Sequence, residues 1–207
     1  MEFWEGVYSG KVRELPWYLP GLDGDVGRYL TSHRIRKGRL LDIGAGPGTQ
    51  AAALAKRGFE VTATDISRTA VEKASLRFPH VRFIQDDILE SRLSGEFDVI
   101  LDRGCFHVLP PEKRKSYVVQ IRSLLAPKGV LLLKCFSDRQ PGTEGPYRLS
   151  ESELRAQFGD FEIEELCHTR FEGTLREKPH ALFMACRRRK TNRATAALRK
   201  ISAIPAR

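Results

Sequence analysis

A regular alternation of short apolar runs with helical patterns, beginning at about residue 39, limits the fold of this chain more than any other feature. The apolar runs predict strands at residues 39–43, 60–65, 81–85, 97–102 and 129–136. Helical patterns lie between them at residues 48–57, 67–77 and 111–126. This order is typical of a mostly parallel sheet covered by helices, because strands buried on both faces are apolar along their whole length.

The rest of the chain adds elements to the same sheet. A helix is predicted to begin after Ser150, because Glu153 three residues on completes a capping box. Two further strands are predicted at about 160–168 and 180–187. We therefore predict one domain over residues 1–187, in which residues 1–38 form an N-terminal lid and helix, followed by a flexible basic tail at 188–207.

The positive charge is confined to that tail. The formal net charge is +9, yet residues 187–207 carry eight basic residues and no acidic one, against 27 basic and 26 acidic residues in 1–186. Nucleic-acid partners need a basic face beside the site. The nearly neutral body therefore predicts a small-molecule substrate rather than a nucleic acid.

Other classes are excluded by what the sequence lacks. No apolar run approaches the roughly 20 residues of a membrane span, and residues 1–5 have no secretory signal pattern. The four cysteines lie far apart without a Cys-x-x-Cys pair, so we expect reduced thiols, no metal and a cytoplasmic location.

A glycine-rich segment joins the first strand to the first helix, where an open α/β sheet binds its nucleotide. Residues 40–49 are LLDIGAGPGT. The dinucleotide fingerprint would place its third glycine where Thr49 stands. Pro47 lacks an N–H donor and Asp42 would repel a phosphate. S-adenosylmethionine has no phosphate and carries an ammonium and a sulfonium, so it fits this segment better.

Acidic residues follow the next two strands. Asp65 ends the second strand, where nucleotide-binding proteins use a carboxylate to bind the ribose hydroxyls. Asp86 and Asp87 follow the third strand, where a carboxylate can accept from the adenine amino group while Ile88 packs on the ring. The alternative for this pair is that surface aspartates cap a turn.

These motifs together resemble the class I S-adenosylmethionine-dependent methyltransferases over about residues 39–187. The resemblance implies a Rossmann-like three-layer α/β/α sandwich, with a seven-stranded, mostly parallel sheet whose last strand is antiparallel. It also implies one S-adenosylmethionine per chain, with S-adenosylhomocysteine as the product and no metal. The expected cofactor contacts are Trp17, Asp42, Gly44, Ala45, Gly46, Gly48, Asp65, Ile66, Asp87, Ile88 and Asp102.

A narrower resemblance is to the thiopurine S-methyltransferase, tellurite-resistance and halide/thiol methyltransferase group. It rests on the aromatic residues of 3–17 and on the segment Asp-Arg-Gly-Cys-Phe-His at 102–107. In that group an aromatic N-terminal segment closes over cofactor and acceptor, which implies substrate contacts from Trp4, Tyr8 and Arg103. Packing of the aromatic segment on the sheet edge is the alternative.

Two residues of the segment 102–107, Asp102 and His107, are the candidate catalytic groups. His107 either acts as a general base or packs at the start of the next helix. Arg103 either holds an anionic acceptor or pairs with Asp102, and Cys105 is expected to be structural.

The sequence thus predicts methyl transfer to a small-molecule acceptor such as a thiol, a chalcogen or another soft nucleophile. The alternatives are an RNA or protein methyltransferase that uses the basic tail, and a binding module without chemistry.

Overall fold

The helices and strands of the computed structural model follow the predicted alternation within residues 2–189, which are the residues that the structure describes. The strands are β1 Gly38–Ile43, β2 Phe59–Asp65, β3 Arg82–Gln85, β4 Phe97–Arg103, β5 Leu125–Phe136, β6 Phe161–Arg170 and β7 His180–Arg188. The α-helices are α1 Glu2–Ser9, α2 Gly24–Ser32, α3 Thr49–Lys56, α4 Arg68–Arg77, α5 Pro111–Leu124 and α6 Glu151–Gln157. Most predicted boundaries are met within one or two residues.

The seven strands form one sheet in the order β3-β2-β1-β4-β5-β7-β6. The first five strands pair in parallel, while β7 lies antiparallel between β5 and β6. This confirms the predicted Rossmann-like sheet with an antiparallel last strand. The order reverses at β1, so the carboxyl ends of β1 and β4 flank a crevice of the kind in which α/β sheets bind ligands.

Alternate residues of the central strands pack in two separate cores, because successive side chains of a strand point to opposite faces. Leu41 and Ile100 lie in the core under α5 and α6, whereas Leu40 and Val99 lie in the core under α2 and α3. The sheet is therefore covered on both faces, as the apolar strands predict.

The boundary between α5 and β5 differs from the prediction. The helix ends at Leu124 rather than at residue 126, and β5 begins at Leu125, four residues before the predicted start at 129, so that Pro127 lies inside the strand. Leu125 pairs with Phe97 and the register then shifts before Val130 pairs with Val99. A Cβ on Gly129 would lie 2.7 Å from the Phe97 carbonyl oxygen, so this glycine allows the close approach of β4. The pairing of β5 with β4 sets this boundary, so the local sequence pattern could not predict it.

The predicted capping box is present, with the Ser150 hydroxyl accepting from the N–H of Glu153 and the Glu153 carboxylate accepting from the N–H of Ser150. Within residues 2–189, no helix has the length and apolar character needed to cross a membrane. The predicted tail lies outside the described residues except for 188 and 189, and its boundary with the domain stays a prediction.

Candidate functional site

A glycine-rich turn, residues 44–48, connects the carboxyl end of β1 to α3. Gly46 and Gly48 have φ values of 49° and 73°, in the left-handed region that glycine adopts without steric cost. The Gly46 N–H donates to Oδ2 of Asp65 at 2.8 Å, and the Gly48 N–H donates to the Ala45 carbonyl at 2.9 Å. A phosphate site needs such N–H groups free, so this turn suits a ligand without phosphate.

A first cavity opens at the carboxyl ends of β1 to β4 and encloses about 620 Å³. Five of the predicted cofactor residues line it, namely Gly44, Asp65, Ile66, Asp87 and Ile88. Its other walls include Trp4 and Tyr8 of α1, Asp86, and Cys105.

Asp65 is the central acceptor of the first cavity. Its side chain is buried, with Oδ1 accepting from the Ser67 N–H at 2.9 Å and Oδ2 accepting from Gly46. Burial raises the pKa of Asp65. Because each carboxylate oxygen can accept two hydrogen bonds, Asp65 keeps acceptor capacity toward the cavity.

The acidic pair after β3 also faces the first cavity. Oδ1 of Asp87 accepts from the Leu89 N–H at 2.9 Å and caps the short helical turn Ile88–Glu90. Oδ1 of Asp86 accepts from the Arg92 N–H at 3.1 Å, while its buried Oδ2 has no partner among the described residues. A buried acceptor without a donor is costly, so a ligand N–H at this place would be favoured.

Five other predicted cofactor residues do not line the first cavity, so their contact with the cofactor stays a prediction. Gly46, Gly48 and Ala45 face the protein interior, and a Cβ on Gly46 would lie 2.5 Å from the Tyr8 hydroxyl. Asp42 is 2% exposed, and its buried Oδ2 has no hydrogen-bond partner among the described residues. Burial, and secondarily the Asp102 charge, raise the pKa of Asp42 to about 7.

Asp102 is the fifth of these residues, and its carboxylate is bound by the turn that follows β4. Its side chain is fully buried. It accepts from the backbone N–H groups of 104–106 at 2.8–3.1 Å, with one longer contact of 3.3 Å, and from the Tyr117 hydroxyl at 2.5 Å. Burial raises the pKa of Asp102 to about 6. Asp102 therefore holds the turn that follows β4, and its catalytic and cofactor roles stay predictions.

His107 is also not placed as a general base. Its Nδ1 accepts from the Phe136 N–H at 2.9 Å, which puts the ring proton on Nε2 beside the Gly104 backbone. Burial lowers the pKa of His107 to about 3. The ring stacks on Phe171 with centroids 5.6 Å apart. The packing alternative is thus the one that the structure supports.

A second cavity adjoins the first and encloses about 790 Å³. Its walls are mainly aromatic and proline side chains, namely Trp4, Tyr8, Pro16, Trp17, His107, Phe136, Pro146, Phe171 and Pro179. Trp4, Tyr8 and Gly44 border both cavities. Trp17, expected at the cofactor, lines only this second cavity, which sequence reasoning could not separate from the first.

The aromatic helix α1 is docked over both cavities by contacts at its two ends. The Glu5 carboxylate accepts from the backbone N–H groups of Arg68 and Thr69 at the start of α4, and a hydrogen bond from Thr69 is the main cause that lowers the pKa of Glu5 to about 2. The Lys73 ammonium donates to the carbonyls of Tyr8 and two following residues at 2.7–3.0 Å. The predicted lid is therefore closed in this structure.

Sequence reasoning missed the residues that complete the second cavity and its support. Phe136 and Phe171 come from the end of β5 and from the segment after β6. Lys134 is 1% exposed and pairs with Asp23 and Asp25 at 2.7–3.0 Å. The sequence signal for this buried ion-pair cluster was Lys134, which interrupts the apolar run of β5.

Comparisons with known proteins agree with this geometry. A family model described as a methyltransferase domain matches residues 40–129. An uncharacterized methyltransferase of Schizosaccharomyces pombe is 33% identical over 106 residues, which is 48% of this chain and 72% of the yeast protein. The chain belongs to the class I S-adenosylmethionine-dependent methyltransferases, with S-adenosylmethionine as the methyl donor.

Two further similarities indicate the narrower group. A probable thiol methyltransferase 2 of Arabidopsis thaliana is 28% identical over 151 residues, 70% of this chain and 67% of that protein. The structure of Burkholderia thailandensis 1,6-didemethyltoxoflavin-N1-methyltransferase, which contains that substrate and S-adenosylhomocysteine, is 26% identical with a TM-score of 0.67 over 81% of this chain and 78% of that one. The resemblance to the thiopurine and thiol methyltransferases is confirmed.

Proposed function

We propose that this enzyme binds S-adenosylmethionine in the first cavity and methylates a small, apolar soft nucleophile, such as a thiol, held in the second. The observation that carries the proposal is the contact between the two cavities. They share Trp4, Tyr8 and Gly44, so a ligand in each would meet at a common wall. Holding two reactants in contact in a dry pocket is the main requirement for methyl transfer from a sulfonium.

The residues of the first cavity fit the donor. Asp65 would accept from the ribose hydroxyls, and the unpartnered Oδ2 of Asp86 together with Asp87 would accept from the adenine amino group. Ile66 and Ile88 supply apolar walls for the ring. When bound, the donor supplies a methyl group already activated by its sulfonium charge. Among the described residues, no group of three or more metal-ligating side chains is arranged to hold a metal ion.

The chemistry of the second cavity favours an acceptor that needs no base. His107 is neutral with its Nδ1 accepting from the Phe136 N–H, Asp102 is fully buried, and burial raises the pKa of Tyr8 so that its hydroxyl stays protonated. Oxygen and nitrogen acceptors usually lose a proton to a general base, whereas thiols ionise more readily. The apolar walls favour a hydrophobic thiol over a hydrated anion.

Cofactor binding should release a proton near neutral pH. The pKa of Asp42 is about 7, so part of the population is protonated before binding. The positive sulfonium and ammonium stabilise the charged carboxylate and lower its pKa. Affinity should therefore rise as pH increases, by roughly fivefold between about pH 6 and pH 8 if the pKa falls by about one unit.

Isothermal titration with S-adenosylmethionine in phosphate and in Tris buffer measures the released proton as a difference in binding enthalpy. Asp42→Asn, which has no proton to release, is the control, and it isolates Asp42 from the amino group of the ligand. A proton release that is the same in Asp42→Asn would show that Asp42 is not the source.

Trp17→Ala should impair turnover more than cofactor binding, because Trp17 lines the second cavity and does not line the first. We expect kcat/KM for benzenethiol to fall by about tenfold or more, the effect of about 1.4 kcal/mol, with the Kd for S-adenosylhomocysteine changed by less than about threefold. Phe3→Ala is the control, since Phe3 is an aromatic residue of α1 that is 70% exposed and lines neither cavity.

The wild-type enzyme is first screened for methyl transfer to thiols, tellurite, catechols, amines, bulk RNA and protein. Methylation of RNA or protein without any small-molecule turnover would overturn the proposed function. Equal loss of cofactor affinity and turnover in Trp17→Ala would place Trp17 at the donor instead.

A further inference from the structure

The side chain of Arg103, at the end of β4, makes three hydrogen bonds in three directions. Its Nε donates to Oδ2 of Asp23 at 2.8 Å, its Nη1 to the Trp17 carbonyl at 3.2 Å, and its Nη2 to the Glu172 carbonyl at 2.5 Å. The guanidinium also lies over the Phe171 ring, 4.6 Å from its centroid. The Arg103 side chain is only 6% exposed and borders the second cavity, so these three hydrogen bonds hold the guanidinium at the cavity wall.

The charge of Arg103 is neutralised by the same contacts. Asp23 is fully buried and binds Lys134 as well, and Lys134 also pairs with Asp25. Although burial acts in the opposite direction, the charges of Lys134 and Arg103 keep the pKa of Asp23 below its usual value. The charge of Arg103 is thus balanced by a buried carboxylate, and because Arg103 also lines the second cavity, its contact with an anionic acceptor stays a prediction.

The partners of Arg103 belong to two segments that form walls of the second cavity. Trp17 lies in the N-terminal segment, and Phe171 and Glu172 lie in the segment between β6 and β7. The same two segments meet directly, since Thr174 donates its N–H to the Pro16 carbonyl and its hydroxyl to the Leu15 carbonyl, both at 3.0 Å. Arg103 is the buried side chain that joins both segments to the sheet.

We propose that Arg103 is a positioning residue that clamps these two segments together and so sets the width of the second cavity, without contacting the cofactor. This inference rests on the proposed function insofar as the second cavity is the acceptor site. Arginine is required because its planar fork reaches three acceptors, whereas a lysine ammonium is a single point charge on a flexible stem.

Arg103→Lys keeps the charge and loses the fork, so it tests the clamp directly. We expect the KM for benzenethiol to rise by about tenfold or more, the kcat ratio of 2-naphthalenethiol to benzenethiol to increase, and the Kd for S-adenosylhomocysteine to change by less than about threefold. Arg187→Lys is the matched control. The Arg187 guanidinium likewise donates to two acceptors, the Glu164 carboxylate and the Lys128 carbonyl, at the end of the strands opposite the two cavities.

A second measurement does not depend on activity. The chain has two tryptophans, Trp4 and Trp17, and both line the second cavity. Acrylamide quenching of tryptophan fluorescence should therefore increase in Arg103→Lys and stay unchanged in Arg187→Lys. A merely destabilised protein would show a lower Tm without this selective exposure.

The outcomes separate the clamp from the proposed function. Unchanged quenching and unchanged KM in a folded Arg103→Lys overturn the clamp. Increased quenching in an enzyme that turns over no small acceptor supports the clamp and overturns the proposed function. Where Arg103→Lys fails to fold, Thr174→Val removes one bond between the same segments, and we expect a smaller effect in the same direction; no effect on quenching there overturns the clamp.

Discussion

Gly46→Val is expected to lower the affinity for S-adenosylhomocysteine by about 100-fold or more, equivalent to about 2.7 kcal/mol. The substituted Cβ would lie 2.5 Å from the Tyr8 hydroxyl, and the φ of 49° is unfavourable for a β-branched side chain. Either Tyr8 and the lid helix α1 move away, or the turn rearranges and its N–H no longer holds the Asp65 carboxylate. Both responses damage the first cavity.

Isothermal titration on folded protein measures this loss. Gly145→Val is the control, because Gly145 also has a positive φ, 83°, yet has open space around its substituted Cβ. It therefore shares the backbone strain and lacks the collision with Tyr8. Near-normal affinity in Gly46→Val would show that the glycine turn does not shape the donor site.

Asp65→Ala is the second change for which we expect a very large effect. The wild-type carboxylate would accept both ribose hydroxyls, and hydrogen bonds to a charged group contribute about 1.5–3 kcal/mol each. Loss of the two bonds predicts a fall in affinity of about 100-fold or more. The truncation also leaves the N–H groups of Gly46 and Ser67 without their acceptor, which loosens the turn in the same direction.

Asp98→Ala provides a comparison for Asp65→Ala. Asp98 also accepts a hydrogen bond from a backbone N–H, that of Arg39 at 2.8 Å, but it lies at the amino end of β4, opposite the two cavities. It should change stability without changing the Kd for S-adenosylhomocysteine. If Asp65→Ala folds and binds as tightly as Asp98→Ala, the ribose role of Asp65 is wrong.

Features set by local chemistry were predictable. The period of the apolar residues distinguishes strands from helices, and the capping box at Ser150 and the glycine turn at 44–48 depend on neighbours within a few residues. Asp65 was found because the end of β2 has a fixed position relative to the turn in this kind of sheet. These features predicted the fold, the class of methyltransferase and five of the residues that line the first cavity.

The side chains after β4 could not be assigned in this way. Asp102, Arg103 and His107 carry the residue types of a catalytic cluster, yet each is used to hold structure. Their burial follows from partners far along the chain. Arg103 contacts Asp23 and Glu172, which are 80 and 69 residues away.

The sequence by itself therefore determined the sheet, its glycine turn and the class of reaction, because periodicity, turn stereochemistry and charge type act over short distances. Only the tertiary structure decided which ionisable groups are free to react. That depends on desolvation and on which buried partner each charge meets, and both are set by the packing of distant segments. The closed wall of Trp17 and Phe171 is the clearest case, since Arg103 brings the two residues together from opposite ends of the chain.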